Sequence, residues 1–179
     1  MPRLLEKYRK QVIPSMMAKF GYKNVMAVPK IEKAVVNVGS GRISTEPKFK
    51  ERVEKDIASI TGQKPSYRKA KKSISGFKVR QGMAVGFIST LRGKRMYDFI
   101  DRLISVALPR SRDFRGLDIK SFDGKGSLNI GIREQIIFPE VSYESSKDIF
   151  PFQVTITTTA KTKEEGIELL KLMGFPIKK

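Results

Sequence analysis

The 179-residue sequence contains no cysteine, no histidine and no tryptophan, and it has half as many acidic as basic side chains, 18 against 36. Without cysteine there can be no disulfide, thiolate nucleophile, iron–sulfur cluster or thiolate zinc site. Without histidine there is no imidazole base, no Ser-His triad and no HExxH zinc motif. Catalysis would fall to carboxylates, lysine, tyrosine or a borrowed metal. The longest apolar stretch lies around Met83 to Leu91, too short to span a bilayer, and Met1 to Phe20 is charged and amphipathic, unlike a signal peptide. The expectation is a cytoplasmic chain without a membrane partner, long enough to bury a core of its own.

What is present is positive charge, and it is unevenly placed. The first hundred residues carry sixteen of the eighteen net charges. Between Asp56 and Asp98 there is no acid, but ten cations: Lys64, Arg68, Lys69, Lys71, Lys72, Lys78, Arg80, Arg92, Lys94 and Arg95. A solvated face normally interleaves both signs, and so long an unbalanced run repels itself unless a polyanion neutralises it. Nucleic acid is the expected partner.

Hydrophobic spacing outlines the elements. Leu4, Leu5, Tyr8, Val12, Ile13, Met16, Met17 and Phe20 predict an amphipathic helix kinked at Pro14 and closed by Gly21. Ile31 to Val38 alternates as a strand, with Ala34, Val36 and Val38 opposed to Lys33, Val35 and Asn37. Thr45 is expected to cap a helix that buries Phe49, Val53, Ile57 and Ile60 and ends at Gly62. Met83 to Leu91 reads as a strand in which Gly86 implies close approach by another backbone or a ligand. Met96, Phe99, Ile100, Leu103, Ile104 and Ala107 predict a third helix, stopped by Pro109, before a long loop to Gly126. Ser127 to Arg133 and Phe152 to Thr158 alternate as strands with one polar face, and Thr162 with Glu165 forms the capping box of a last helix.

These elements predict a single α+β domain over residues 1–179, a mostly antiparallel sheet with helices packed on one face, the other face and a protruding basic loop of about residues 69–82 open to RNA. The loop residues Lys71, Lys72, Ser73, Ser75, Gly76, Phe77, Lys78 and Arg80 combine cations, hydroxyls, a glycine and one aromatic, a composition suited to contact with a nucleic-acid backbone. Residue type alone leaves Phe77 open between a core anchor and a base contact.

Other motifs carry less. Gly39-Ser-Gly41 and Gly124-Lys-Gly126 complete neither GxGxxG nor GxxxxGK[ST] and read as tight turns. Asp98, Asp101, Asp113, Asp118, Asp123 and Glu134 raise a magnesium-dependent nuclease, but nothing fixes a two-metal geometry, and pairing of Asp98 and Asp101 with neighbouring Arg95 and Arg102 accounts for the helical pair. No catalytic residue, metal site or cofactor is expected. A free-standing basic RNA chaperone is the alternative from another class. From Glu134 to Asp148 the acids Glu134, Glu140, Glu144 and Asp148 face only Lys147, a stretch that repels phosphate and suits a basic protein partner.

Several blocks carry a resemblance: Ile60-Thr-Gly-Gln63-Lys-Pro65, Ala70-Lys-Lys-Ser-Ile, Thr90-Leu-Arg-Gly-Lys-Arg-Met-Tyr-Asp-Phe99, Leu108-Pro-Arg-Ser-Arg-Asp-Phe-Arg-Gly-Leu117, Phe122-Asp-Gly-Lys-Gly126 and Gly131-Ile-Arg-Glu-Gln-Ile-Ile-Phe-Pro-Glu140. Over roughly residues 3 to 176 the chain resembles the bacterial large-subunit ribosomal proteins of the L-five family. Ser66, Arg68 and the segment Asp148-Ile-Phe-Pro-Phe152 depart from the family's usual residues. The resemblance implies 5S rRNA binding in the central protuberance, with contacts at Asn37, Gln63 and Thr90 and with Arg92 and Lys94 nearby. It implies contact between the basic loop and P-site tRNA, a bridge to small-subunit ribosomal protein thirteen, and other large-subunit central-protuberance components as neighbours.

Overall fold

The computed structural model describes residues 1–39, 41–112, 114–141 and 149–178. It is an α+β fold, a five-stranded antiparallel sheet with four helices packed against it. The strands are β1 (Ile31–Gly39), β2 (Ser66–Lys69), β3 (Ala84–Leu91), β4 (Leu128–Ile132) and β5 (Phe152–Thr158), in the spatial order β2-β3-β1-β5-β4. Each long strand buries one side, as the alternation predicts: Ala34, Val36 and Val38 on β1, Phe87 and Leu91 on β3, Leu128 and Ile130 on β4, Val154 and Ile156 on β5. No described helix is long and apolar enough to cross a membrane.

Pro109 behaves differently from expectation. The N-terminal helix runs without interruption through Arg3–Lys7, a π turn at Tyr8–Val12, and Ile13–Phe20. The third helix likewise runs through Gly93–Arg102, a π turn at Leu103–Ala107, and Leu108–Arg110, so Pro109 does not stop it. A proline ring collides with the carbonyl four residues earlier. Those carbonyls belong to Lys10 and Ser105, and both lie in the widened turns, where the ring is accommodated. The helix Pro47–Thr61 follows a short helical turn, Arg42–Thr45, so its N-cap is Glu46 and not Thr45. It closes on Gly62 with φ +68°, and the last helix, Lys163–Met173, opens with the expected Thr162–Glu165 capping box.

Contacts divide the chain into two compact units, one of residues 1–34, 91–130 and 155–179, the other of 35–90 and 131–154. In the first, the N-terminal helix buries Leu4, Tyr8, Val12 and Met16, a strict four-residue repeat. Arg3 donates to Asp101 at 2.7 Å, so the pairing expected with Arg102 is made by Asp101 with the N-terminal helix. Gly126 lies against Gly166 so closely that a Cβ built on Gly166 would stand 2.3 Å from the Gly126 Cα. Beyond Arg110 the expected long loop contains a 3₁₀ turn at Ile119–Ser121 and is tied to the C-terminal segment by Leu117, whose N–H donates to the Pro176 carbonyl at 2.7 Å. In the second unit, Phe49 meets Phe150 edge-on, and Phe138 packs beside Phe152.

Candidate nucleic-acid interface

The second unit presents the side of β1 and β3 turned away from the core. On β1, Asn37 stands exposed between buried Val36 and Val38. On β3, Phe87 and Ser89 face inward, which puts Gly86, Ile88 and Thr90 on the open side. A Cβ on Gly86 would lie 2.5 Å from the Val38 carbonyl oxygen, so the close approach that this glycine implied is made by the β1 backbone.

Gln63 ties this surface together. Its Nε2 donates to Ser89 Oγ and to the Thr90 carbonyl, both at 3.0 Å. Both amide hydrogens are therefore spent within the protein, and the group left to offer a ligand is the Oε1 carbonyl oxygen, an acceptor. Arg92 and Lys94 are exposed and follow β3 directly in the chain. Ser89, the buried inward partner of Gln63, was not singled out from the sequence. Its role depends on a pairing across 26 residues that no local pattern marks.

At the sheet edge, β2 pairs antiparallel with β3, matching Ser66 to Ile88, Tyr67 to Phe87 and Arg68 to Gly86, with a bulge between Arg68 and Lys69. The positions that depart from the family pattern, Ser66 and Arg68, thus share the open side with Ile88 and Gly86. On the opposite side the Tyr67 ring lies 5.0 Å from that of Phe87. Its hydroxyl donates to the Glu54 carboxylate, Lys64 stands 3.4 Å from the same carboxylate, and the Lys50 ammonium lies 4.6 Å from the Tyr67 ring centre. The Tyr67 hydrogen bond, with help from Lys64, holds Glu54 below the usual carboxylate range and in return raises the phenol. This edge cluster also went unread in the sequence.

Between β2 and β3 the basic loop is a hairpin. Its neck is closed by Ala70 N–H to the Met83 carbonyl at 2.8 Å and Gly82 N–H to Ala70 at 3.0 Å. Halfway up, Gln81 N–H donates to Ser73 Oγ at 2.9 Å. Near the tip, Ile74 and Val79 exchange backbone hydrogen bonds of 2.9 and 3.2 Å around a 3₁₀ turn at Ser75–Phe77. Lys71, Lys72, Ser73, Ser75, Gly76, Lys78 and Arg80 are all exposed. Phe77 is 77% exposed, which removes it from the core.

Of the acidic stretch, Glu134 and Glu140 are half-buried, while Glu144 and Asp148 lie outside the described residues. The segment between them and the core is held by Gln135, fully buried, whose Oε1 accepts from the Phe150 amide at 3.0 Å. The carboxylates once weighed as metal ligands are used locally: Asp118 accepts from the Lys120 amide and Asp123 from the Lys125 and Ser127 amides. Asp113 lies outside the described residues, and no group of three candidate ligands occurs among those described.

Comparison with known proteins finds relatives along the whole chain. A family model described as "ribosomal L5P family C-terminus" matches residues 84–177, and one described as "Ribosomal protein L5" matches residues 24–80. The chain is 54% identical over 176 residues to the large ribosomal subunit protein uL5 of Carboxydothermus hydrogenoformans, covering 98% of both chains. It is 53% identical to that of Halothermothrix orenii over 97% of both, and 53% identical to that of Syntrophomonas wolfei over 99% of this chain and all of the other. The chain belongs to the ribosomal protein L5 family. Membership in the L5 family makes it a structural large-subunit ribosomal protein and not an enzyme. The N-terminal family match ends at Arg80 and the C-terminal one begins at Ala84, so the junction between them falls in the returning limb of the hairpin.

Proposed function

We propose that this protein binds 5S rRNA in the central protuberance of the cytoplasmic large ribosomal subunit. Asn37, Gln63 and Thr90 would read the RNA, and Arg92 and Lys94, which follow Thr90 closely in the chain, would neutralise phosphates. The observation that carries the reading is the Gln63 clamp: a half-buried amide with both hydrogens engaged at the end of β3 keeps only its carbonyl oxygen, an acceptor, beside Thr90, in a stretch of 41 residues without an acid. Such a group suits a ribose 2′-hydroxyl or a base amino group. The hairpin, with Lys71, Lys72, Ser73, Ser75, Gly76, Phe77, Lys78 and Arg80, would contact the backbone and an unpaired region of P-site tRNA. The stretch holding Glu134, Glu140, Glu144 and Asp148 would meet a basic protein across the subunit interface, small-subunit ribosomal protein thirteen, and other central-protuberance components would pack nearby.

The test is reconstitution. Large-subunit particles assembled without the protein should lack 5S rRNA and recover it when the protein is added. Recovery that is equally efficient with a variant carrying alanine at Asn37, Gln63 and Thr90 would overturn the assignment of the RNA face. Reversing Glu140, Glu144 and Asp148 to lysine should leave 5S rRNA retention intact and weaken subunit joining, most visibly at low salt. Joining unchanged across a salt titration would remove the bridge.

A further inference from the structure

The hairpin's shape needs a physical cause, because its composition opposes it. Lys71, Lys72, Lys78 and Arg80 place four like charges within ten residues. An isolated two-stranded ribbon is marginal in water even without that repulsion. Two side-chain positions oppose the splaying. Ser73 Oγ takes the Gln81 amide at 2.9 Å, bridging the two limbs where the backbone ladder is absent between the neck and the Ile74–Val79 pair. Lys78 adopts φ +52° and ψ +33°, and among the described residues it is the one non-glycine residue with positive φ. That left-handed step returns the chain from the 3₁₀ turn so that Val79 can face Ile74, and it leaves the Phe77 ring outside. A lysine has no intrinsic preference for this conformation.

We propose that Ser73 and Lys78 are positioning residues, which hold the hairpin in its binding shape before any RNA arrives, so that the tip engages as a preformed arm and does not fold upon its ligand. Ser73 thereby acts through its acceptor lone pair on Gln81, and Lys78 through its backbone as much as through its charge. The inference rests on the hairpin being an RNA contact for its purpose, but not for its first test.

The absence of tryptophan makes that test simple, since Phe77→Trp supplies a single indole at the tip, which can be excited at wavelengths where the five tyrosines do not absorb. Time-resolved anisotropy of this full-length protein, without RNA, should show the indole tumbling with the whole molecule and only a small fast component. Lys78→Asn and Lys78→Val, each added to this background, remove the same charge, but asparagine tolerates the left-handed step and a β-branched residue does not. The fast component should stay small for Lys78→Asn and grow at least about twofold for Lys78→Val. Ser73→Ala should raise it and Ser73→Thr restore it. Identical anisotropy decays for the two Lys78 variants, or for Ser73→Ala and the parent, would overturn the positioning role.

The second test uses ribosomes carrying the same Lys78 and Ser73 substitutions with Phe77 intact and reads release of P-site tRNA. Lys78→Val should release tRNA faster than Lys78→Asn, by roughly the five- to 150-fold range of a lost base–aromatic stack at most. Order lost at the tip without any difference in release would overturn the tRNA contact and uphold the preformed hairpin.

Discussion

The side-chain amide of Gln63 donates to the carbonyl oxygen of Thr90 at 3.0 Å and, with its second hydrogen, to the hydroxyl of Ser89. One side chain thereby joins the turn after the helix Pro47–Thr61 to the end of β3. Gln63→Ala should lose about 1 kcal/mol of stability from these bonds and roughly 1 to 3 kcal/mol of 5S rRNA affinity. The salt dependence of binding should be unchanged, because no ion pair is removed. Thr90→Ala should spare stability, since the acceptor is backbone. Denaturant titration beside filter binding at several salt concentrations checks both.

Gly166 and Gly126 meet at their backbones. Gly166→Ala must push the last helix from the turn that precedes β4, at a cost of roughly 3 kcal/mol, and Gly126→Ala adds the strain of a side chain at φ +76°. Thermal midpoints should drop by about 6–12 °C. Affinity of the folded fraction for 5S rRNA should stay the same.

Alternation and capping made much of the fold legible: the buried sides of β1, β4 and β5 and the Thr162–Glu165 box follow from residue type and spacing alone. Pro109 misled because a π turn is a backbone adjustment without a residue signature. The clamp by Gln63 and the anchoring of Tyr67 to Glu54 join residues distant in sequence, and they become visible only when the strands are laid side by side. Phe77 could be placed only by structure, since a phenylalanine within three residues of Ile74 and Val79 reads the same at a core edge and at an exposed tip.

Stability should be nearly flat around neutrality, where a chain without histidine or cysteine has few groups to titrate. Glu54 is held low by the Tyr67 hydrogen bond, and Glu165 is also low, despite its burial, with the Lys161 and Thr162 amides donating to its carboxylate. A carboxylate depressed in the folded state contributes stability above its unfolded value, so stability should fall from about pH 4.3 downward. Burial raises Tyr8 to about 12, and Tyr97 is raised by the same cause. Their contribution is complete below the unfolded value near 10 and is lost as pH climbs toward 12. Melting midpoints against pH, with tyrosinate absorbance at the alkaline end, should trace both limbs.

Strands β1, β3, β4 and β5 each contain residues of both compact units. Unfolding should therefore be one cooperative transition, with calorimetric and van't Hoff enthalpies equal, as for a single domain over 1–179. Two resolved transitions would divide it.

Deleting Ser73 to Arg80 with a short glycine bridge should leave the fold and 5S rRNA affinity nearly intact, because Ile74 and Phe77 are exposed and the neck bonds at Ala70, Gly82 and Met83 remain. Circular dichroism and 5S rRNA binding check these, and ribosomes with the deletion should release P-site tRNA faster.

The decisive measurement is competition binding of the purified protein to 5S rRNA against a folded control RNA of equal length, repeated across a salt series. If about five phosphates are neutralised, log K for 5S rRNA should fall against log salt with a slope of roughly −3.5 to −4.5, while the preference over the control persists at every salt concentration. Equal affinity for the two RNAs throughout the series would contradict specific 5S rRNA recognition and leave a basic protein that binds RNA by charge alone.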